Sequence, residues 1–126
     1  MQLSKFTSST LDIIALYRSQ GGSYSDLNRY IEMMDCEGKP LLVIGDINFC
    51  YLTSEFNVTK QYMERKQFIQ MINEPTHLEG HLLDQAYLRD KENTLRCTVE
   101  VQSKYYTDHK GLALIIKRRS LENTKQ

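Results

Sequence analysis

The hydrophobic residues of this chain follow two periodicities, and their alternation predicts a mixed α/β domain. Residues 11–17 form a short apolar run with polar breaks on either side, which is typical of a buried strand. The run at 41–44 is continuous, as expected of a strand covered on both faces. Between the two runs, Leu27, Ile31 and Met34 recur at helical spacing. Together they predict a βαβ unit with parallel strands and a right-handed crossover.

Capping residues mark where the predicted helices begin. Ser23, with Asp26 three positions later, forms a capping box at the start of the first helix. Thr59 is the predicted N-cap of a second helix, whose apolar stripe includes Ile69 and Ile72. The Asn-Glu-Pro sequence that follows is predicted to end this helix, because proline disfavours helical conformation at the preceding residue.

The rest of the chain completes a predicted order of β-α-β-α-β-β-β. The last three strands are predicted at 82–89, 96–102 and 111–117. They are close enough in sequence for antiparallel pairing. Residues 1–10 are polar and patternless, which predicts a ragged start before a domain at 11–118. A polar tail at 119–126 is expected to fray.

Composition is that of one globular domain. The 126 residues are 40% hydrophobic and 25% charged, which is too apolar for a disordered chain. Sixteen basic and sixteen acidic residues cancel, so no global field attracts nucleic acid or an anionic membrane. No apolar run approaches the ~18 residues of a membrane span.

The cysteines and the first residues predict an intracellular location, nuclear or cytoplasmic. Cys36, Cys50 and Cys97 are scattered and form no CxxC pair, which argues against a disulfide framework and against a structural zinc site. The chain start lacks the apolar core of a signal peptide. We therefore expect three reduced thiols.

Polar residues gather where the predicted strands end, and open α/β folds bind ligands at that edge. In chain order they are Tyr17, Arg18, Asp46, Asn48, Thr76, His77, Asp84, Asp108 and His109. If they converge, carboxylate and amide oxygens can hold a hard cation such as Mg²⁺. The basic side chains can stabilise or protonate a phosphate ester. The combination predicts metal-dependent hydrolysis of a phosphate ester.

Each of these residues also has an ordinary structural explanation when taken alone. The Gly-Asp-x-Asn sequence at 45–48 commonly forms a turn, because Asp and Asn bond local backbone groups. Asp84 is more informative, because it lies in an apolar strand and a buried carboxylate without a partner is costly. The structural alternative for Asp84 is an edge position that faces water. Taken alone, the others are packing, strand-end or loop residues: Tyr17, Arg18, His77, His81, Asp108 and His109. Only the combination and its order point to a function.

Four short motifs, taken in order, resemble the endonuclease/exonuclease/phosphatase superfamily, the deoxyribonuclease I-like fold. The resemblance covers about residues 11–118. The motifs are ALYRS at 15–19, LLVIGDIN at 41–48, LDQAY at 83–87 and YYTDH at 105–109, the last with Thr107 where the family has Ser. The stretch EPTHLEG at 74–80 is similar to endonuclease domains of reverse-transcriptase-linked mobile elements of animals.

The resemblance implies a fold, a cofactor and a set of roles. The family fold is a four-layer α/β sandwich, with two sheets flanked by helices, and its cofactor is Mg²⁺ or Mn²⁺. Asp46 would orient or activate the attacking water, and Asn48 would hold that water and the phosphate. His109 would contact the phosphate, steered by a hydrogen bond from its imidazole to the Asp84 carboxylate, and Asp108 would sit near the metal.

The same resemblance implies roles for two residues at the first strand end. Tyr17 would contact the phosphate or the groups that assist the nucleophile. Arg18 would contribute to phosphate binding. The implied substrate is DNA or another phosphodiester.

The resemblance also implies that this chain corresponds to the C-terminal half of a family domain. Complete domains are about twice this length, as a sandwich of two full sheets requires. Their N-terminal half carries an Asn at a strand end and a metal-binding Glu, and no segment before residue 11 supplies either. The expected fold is therefore half of a two-sheet sandwich, whose uncovered sheet face would be a surface for association.

Three hypotheses follow. The first is a divalent-metal-dependent endonuclease acting on DNA. The second is a catalytically inactive truncated remnant, or a half-domain that binds a partner. The third, an unrelated α/β binding module, survives only if the strand ends do not converge.

Overall fold

A computed structural model describes residues 1–36 and 38–119, and of Tyr106 the backbone alone. This part of the chain forms a mixed α/β fold with two sheets and two helices, consistent with half of a sandwich. In chain order, the elements are β1 Gln2–Thr7, β2 Asp12–Tyr17, α1 Tyr24–Met34, β3 Leu41–Asp46, α2 Val58–Arg65, β4 Ile69–Gln70, β5 Asp84–Arg89, β6 Leu95–Tyr106 and β7 His109–Arg118.

The larger sheet contains the predicted βαβ unit. Its strand order is β1-β2-β3-β5-β4. Strands β2 and β3 pair in parallel and are connected through α1, as the sequence pattern predicts. Strand β5 pairs antiparallel with both β3 and β4, while β6 and β7 form a separate antiparallel hairpin. The antiparallel pairing predicted among the last three strands therefore holds for β6 and β7 but not for β5.

Two apolar clusters hold the layers together, one on each face of the larger sheet. The cluster under the helices contains Ile14, Leu16, Leu27, Ile31, Leu41, Val43, Ile47, Tyr62, Met63, Phe68 and Tyr87. The cluster under the hairpin contains Leu11, Leu42, Ile72, Leu82, Ala86, Leu88 and Leu95, against which Val99 and Leu114 pack. Adjacent residues of β3 alternate between the clusters because successive side chains of a strand point to opposite faces. Burying one such Leu or Ile contributes roughly 1.5–3 kcal/mol.

The start of the chain differs from the sequence prediction. Residues 2–7 form strand β1 rather than a patternless segment, and they pair antiparallel with β2 from Gln2↔Tyr17 to Thr7↔Asp12. An edge strand with one exposed face can be mostly polar, so it carries little hydrophobic signal. Within the predicted tail at 119–126, the residues after Arg119 lie outside the described part of the chain.

The second helix is shorter than predicted and begins earlier. Asn57, not Thr59, is its N-cap, and the Asn57 side chain accepts from the backbone N–H groups of the residues two and three positions later. The helix ends at Arg65, and Gln67 adopts a positive φ of 67°. This turn sends the chain back to the sheet, so Ile69 lies in edge strand β4 instead of on the helix. The element order is thus β-β-α-β-α-β-β-β-β.

Two further predictions concern the thiols and the membrane. The three cysteines are free. In the described residues, neither helix is long and apolar enough to cross a membrane.

Candidate active site

The carboxyl ends of β2 and β3 and the amino end of the antiparallel β5 bring Tyr17, Asp46 and Asp84 into one row. Tyr17 is the register partner of Asp46, and Asp46 is the register partner of Asp84. Register partners project from the same face of a sheet, so the three side chains are neighbours. The two carboxylates are each 18% exposed, and Tyr17 is 45% exposed. The row is therefore open to a ligand at its Tyr17 end.

His109 reaches this row from the second sheet. Its Nδ1 lies 2.6 Å from Asp84 Oδ2, which confirms the predicted carboxylate–imidazole contact. An ionised carboxylate can only accept, so Nδ1 carries the proton and donates a hydrogen bond to Asp84. His109 Nε2 then faces Asp46 Oδ2 and Asp108 Oδ1, each at 3.8 Å. The strand ends converge, which removes the third hypothesis.

The loop after β3 holds Asp46 in one conformation. An added Cβ at Gly45 would stand 1.8 Å from the carbonyl oxygen of Leu16, so only glycine fits there. Asp46 Oδ1 accepts a 2.9 Å hydrogen bond from the backbone N–H of Asn48, whose φ is 56°. Asn tolerates this left-handed conformation better than most residues do. The Gly-Asp-x-Asn pattern is therefore both a turn and a device that fixes the carboxylate.

Arg18 lies beneath this loop instead of beside the row. It is 3% exposed, and its guanidinium donates to the carbonyl oxygens of Gly22, Ile47 and Asn48 at 2.7, 2.5 and 2.9 Å. A further 2.8 Å bond goes to the hydroxyl of Tyr24. In return, the Asn48 side-chain amide donates to the Arg18 carbonyl at 2.8 Å. The geometry assigns Arg18 to holding the loop, a different task from the phosphate contact that the resemblance implies.

We predict that Arg18→Lys lowers both stability and turnover. A lysine keeps the charge but not the planar fork that serves four acceptors at once. Loss of charge-assisted bonds to buried carbonyls should cost about 3 kcal/mol of unfolding free energy, measured by urea denaturation. If Arg18 instead binds substrate phosphate, Arg18→Lys will raise KM and leave the unfolding free energy unchanged.

The charges of the site oppose one another. Burial raises the pKa of Asp46, the nearby Asp84 carboxylate raises it further, and the bond from Asn48 only partly offsets both. Burial lowers the pKa of His109, but the hydrogen bond and charge of Asp84, with the charges of Asp46 and Asp108, outweigh it and raise the net value. The charged form of His109, which faces three carboxylates, is thus favoured.

Two solved structures share this architecture. The crystal structure of cytolethal distending toxin from Actinobacillus actinomycetemcomitans matches 90% of the chain at 18% identity with a TM-score of 0.61. The cytolethal distending toxin of Haemophilus ducreyi matches 92% at 17% identity with a TM-score of 0.59. The fold is deoxyribonuclease I-like. This chain spans 52% of each matched toxin chain, and no family model and no curated protein matches its sequence.

Within this deoxyribonuclease I-like half, Asp108 is the carboxylate most available to a cation. It lies in the β6–β7 turn with a 58% exposed side chain. A bond from its own backbone N–H, one from the Thr107 hydroxyl and the neighbouring imidazoles outweigh a small burial effect and lower its pKa. Asp84, by contrast, is engaged by His109. An anionic oxygen donor of this kind suits a hard cation such as Mg²⁺ or Mn²⁺.

Two of the polar positions singled out in the sequence were assigned no role there. Thr76 is fully buried, and its hydroxyl accepts from the backbone N–H groups of Leu83 and Asp84 at 3.3 and 3.1 Å. His77, expected to be an ordinary loop residue, packs against His109 with 5.2 Å between ring centroids. Both residues lie in the 74–80 stretch, and its similarity to mobile-element endonucleases was the sequence signal that could have pointed to them.

Proposed function

We propose that this chain carries the phosphodiester-hydrolysing site of a divalent-metal-dependent endonuclease that acts on DNA. The observation that carries the proposal is the 2.6 Å contact between Asp84 and His109, which belong to different sheets. This contact turns the other ring nitrogen of His109 toward Asp46 and Asp108. An ion pair with a purely structural role would need only Asp84, whereas two further carboxylates, Asp46 and Asp108, lie around Nε2. The deoxyribonuclease I-like fold supports hydrolysis of a phosphodiester as the general chemistry.

The proposed reaction is attack of water on phosphorus. Asp46 takes a proton from the water as the water oxygen bonds to phosphorus, the ester P–O bond breaks, and the leaving alkoxide oxygen takes up a proton from solvent. The pKa of Asp46, raised by burial, suits this general base better than that of an exposed carboxylate would. Its orientation comes from the Asn48 backbone bond, and Asn48 would also hold the phosphate.

The proposed role of His109 is to bind the phosphate through Nε2. Asp84 fixes the ring with Nδ1–H directed at its carboxylate and favours the imidazolium, which can donate to a phosphate oxygen. Tyr17 stands at the open end of the same row, where its hydroxyl would contact the phosphate. Asp108 would hold Mg²⁺ or Mn²⁺, which when bound would polarise the phosphoryl oxygen.

The proposal of DNA as substrate rests on one segment of the sequence. The toxins that share the fold have no more than 18% identity to this chain, so the fold alone does not choose among phosphodiesters. The similarity of the 74–80 stretch to endonuclease domains of mobile elements favours DNA over a lipid or inositol phosphate. The three free cysteines agree with an intracellular location, nuclear or cytoplasmic, for such an activity.

The test is nicking of supercoiled plasmid by the purified, folded chain. With Mg²⁺ we expect relaxed circles to accumulate, with EDTA none, and with restored Mg²⁺ renewed nicking. The matched control is Asp84→Asn, which fills the same space but removes the charge beside His109. No nicking by a chain shown to be folded, under any of these conditions, would refute the proposal.

The pH–rate profile should be bell-shaped, with both limbs at higher pH than an unperturbed Asp and His would give. Activity requires ionised Asp46, whose pKa burial raises above the ordinary 3.8, and protonated His109, whose net pKa is above 6.5. Activity thus rises as Asp46 loses its proton and falls at higher pH as His109 loses its own. In Asp84→Asn the pKa of His109 should fall, so the alkaline limb of the residual activity should move to lower pH. Initial nicking rates across the pH range measure this, and an alkaline limb that does not move would contradict the role of Asp84.

A second candidate, a half-domain that binds a partner, is favoured by one specific surface. Phe6 is 60% exposed and is the register partner of Ile13, which packs toward the cluster beneath the hairpin. Phe6 is therefore on the sheet face that the hairpin covers only in part. Concentration-dependent sedimentation without nicking would favour this candidate, and Phe6→Ser should then reduce the association.

A further inference from the structure

The segment Thr76–Leu78 connects the two sheets beside the site. On one side, the Thr76 hydroxyl accepts from the backbone of Asp84. On the other, the Thr76 carbonyl accepts from the backbone N–H of Lys110 at 2.7 Å, and Leu78 N–H donates to the Asp108 carbonyl at 2.7 Å. The segment therefore ties the strand of Asp84 to the hairpin of His109, although those elements belong to different sheets.

His77 lies at the centre of this segment. Its backbone forms an antiparallel bridge with His109, and its side chain is 16% exposed. The backbone N–H of Glu79 donates to His77 Nδ1 at 3.2 Å, which leaves that nitrogen without a proton. The neutral ring of His77 then carries its proton on Nε2, which faces Asp108 Oδ2 at 3.5 Å.

The His77 ring also limits how His109 can move. The two rings meet edge to face at an interplanar angle of 83°, with centroids 5.2 Å apart. One side chain thus contacts the imidazole of His109 and faces the carboxylate of Asp108. Both contacts are with residues of the β6–β7 hairpin, Asp108 and His109.

We propose that His77 is a positioning residue that keeps the His109 ring hydrogen-bonded to Asp84 and orients the Asp108 carboxylate. Its catalytic consequence rests on the proposed function, but the placement of His109 does not. A different role, as a metal ligand through Nε2, would require the proton on Nε2 to leave and the bond from Glu79 to Nδ1 to be lost. The hydrogen-bond pattern therefore favours positioning.

The first test needs no activity. The short, charge-assisted bond from His109 Nδ1–H to Asp84 should give a downfield imidazole proton in the NMR spectrum of the folded chain. In His77→Ala this signal should broaden through faster exchange with water. The backbone amide resonances should keep their chemical-shift dispersion, which shows that the variant is folded. His77→Gln should restore it, since a Gln amide offers an acceptor to Glu79 and a donor to Asp108. His81→Ala is the matched control, because His81 is 50% exposed and its centroid lies 6.0 Å from that of His77.

The second test is kinetic and separates the two proposals. Where the parent nicks plasmid, His77→Ala should lower kcat about tenfold with KM unchanged, since small misplacements of a reacting group are costly. His77→Gln should recover most of the loss, and His81→Ala should match the parent. A parent that never nicks, but whose His109 signal depends on His77, would refute the proposed function and leave this inference standing.

Three results would overturn the inference. One is a His109 signal that persists unchanged in His77→Ala, or is absent from the parent. Another is parent-like kcat in His77→Ala from an active enzyme. The third is tight Co²⁺ binding, seen in its visible spectrum and lost in His77→Ala, because His77 would then be a ligand.

Discussion

Asp46→Asn should reduce plasmid nicking by at least about 10²-fold, the usual contribution of a positioned general base. The substitution removes only the proton acceptor. Its amide oxygen can still accept from the Asn48 backbone, so the loop should keep its conformation. Because burial disfavours the charge of Asp46, the neutral variant should be at least as stable to urea as the parent.

The matched control for this variant is Asp26→Asn. Asp26 has a 47% exposed side chain paired with Arg29 in the first turn of α1. Its loss should cost less than about 1 kcal/mol of unfolding free energy and leave nicking unchanged. If Asp46→Asn nicks at the parent rate while Asp26→Asn is also normal, Asp46 has no part in the chemistry and the proposed site is misassigned.

His109→Ala should abolish detectable nicking, with an expected loss of about 10³-fold. In the proposed mechanism the imidazole donates to the phosphate, and removing it also takes away the group that Asp84 positions, so two members of the site fail together. Asp84 remains 18% exposed, so water can solvate it and the folding penalty should stay at about 1–2 kcal/mol. Nicking rate and urea midpoint, measured on the same preparation, separate the two effects.

The order of effects in double variants provides a further control. If Asp84 acts only through His109, then adding Asp84→Asn to His109→Ala should reduce nicking no further. An additional loss in the double variant would mean that Asp84 has a role of its own, such as holding the cation. A His109→Ala variant that cleaves as well as the parent would show that the assigned chemistry is wrong.

The sequence predicted the elements whose signals are local. The strands at Asp12–Tyr17 and Leu41–Asp46 and the Ser23 cap follow from apolar runs and capping residues that act over a few positions. The members of the site could be selected because polar side chains at strand ends have a common position in open α/β folds. The edge strand at Gln2–Thr7 escaped prediction because pairing on one side demands no hydrophobic pattern. The end of the second helix escaped because a positive φ at Gln67, set by packing of the returning chain, overrode its helical spacing.

Tertiary structure alone decided what each selected residue contacts. Arg18 follows Tyr17 directly, yet its guanidinium is buried under the Asp46–Asn48 loop while Tyr17 faces outward, because successive strand residues point to opposite faces. His77 resembled any loop histidine until the segment around it paired with the strand of His109. The sequence by itself determined which chemical groups are available and at which strand ends they stand. Their distances depend on the packing of two sheets, which arises from contacts between residues far apart in the chain and has no local pattern.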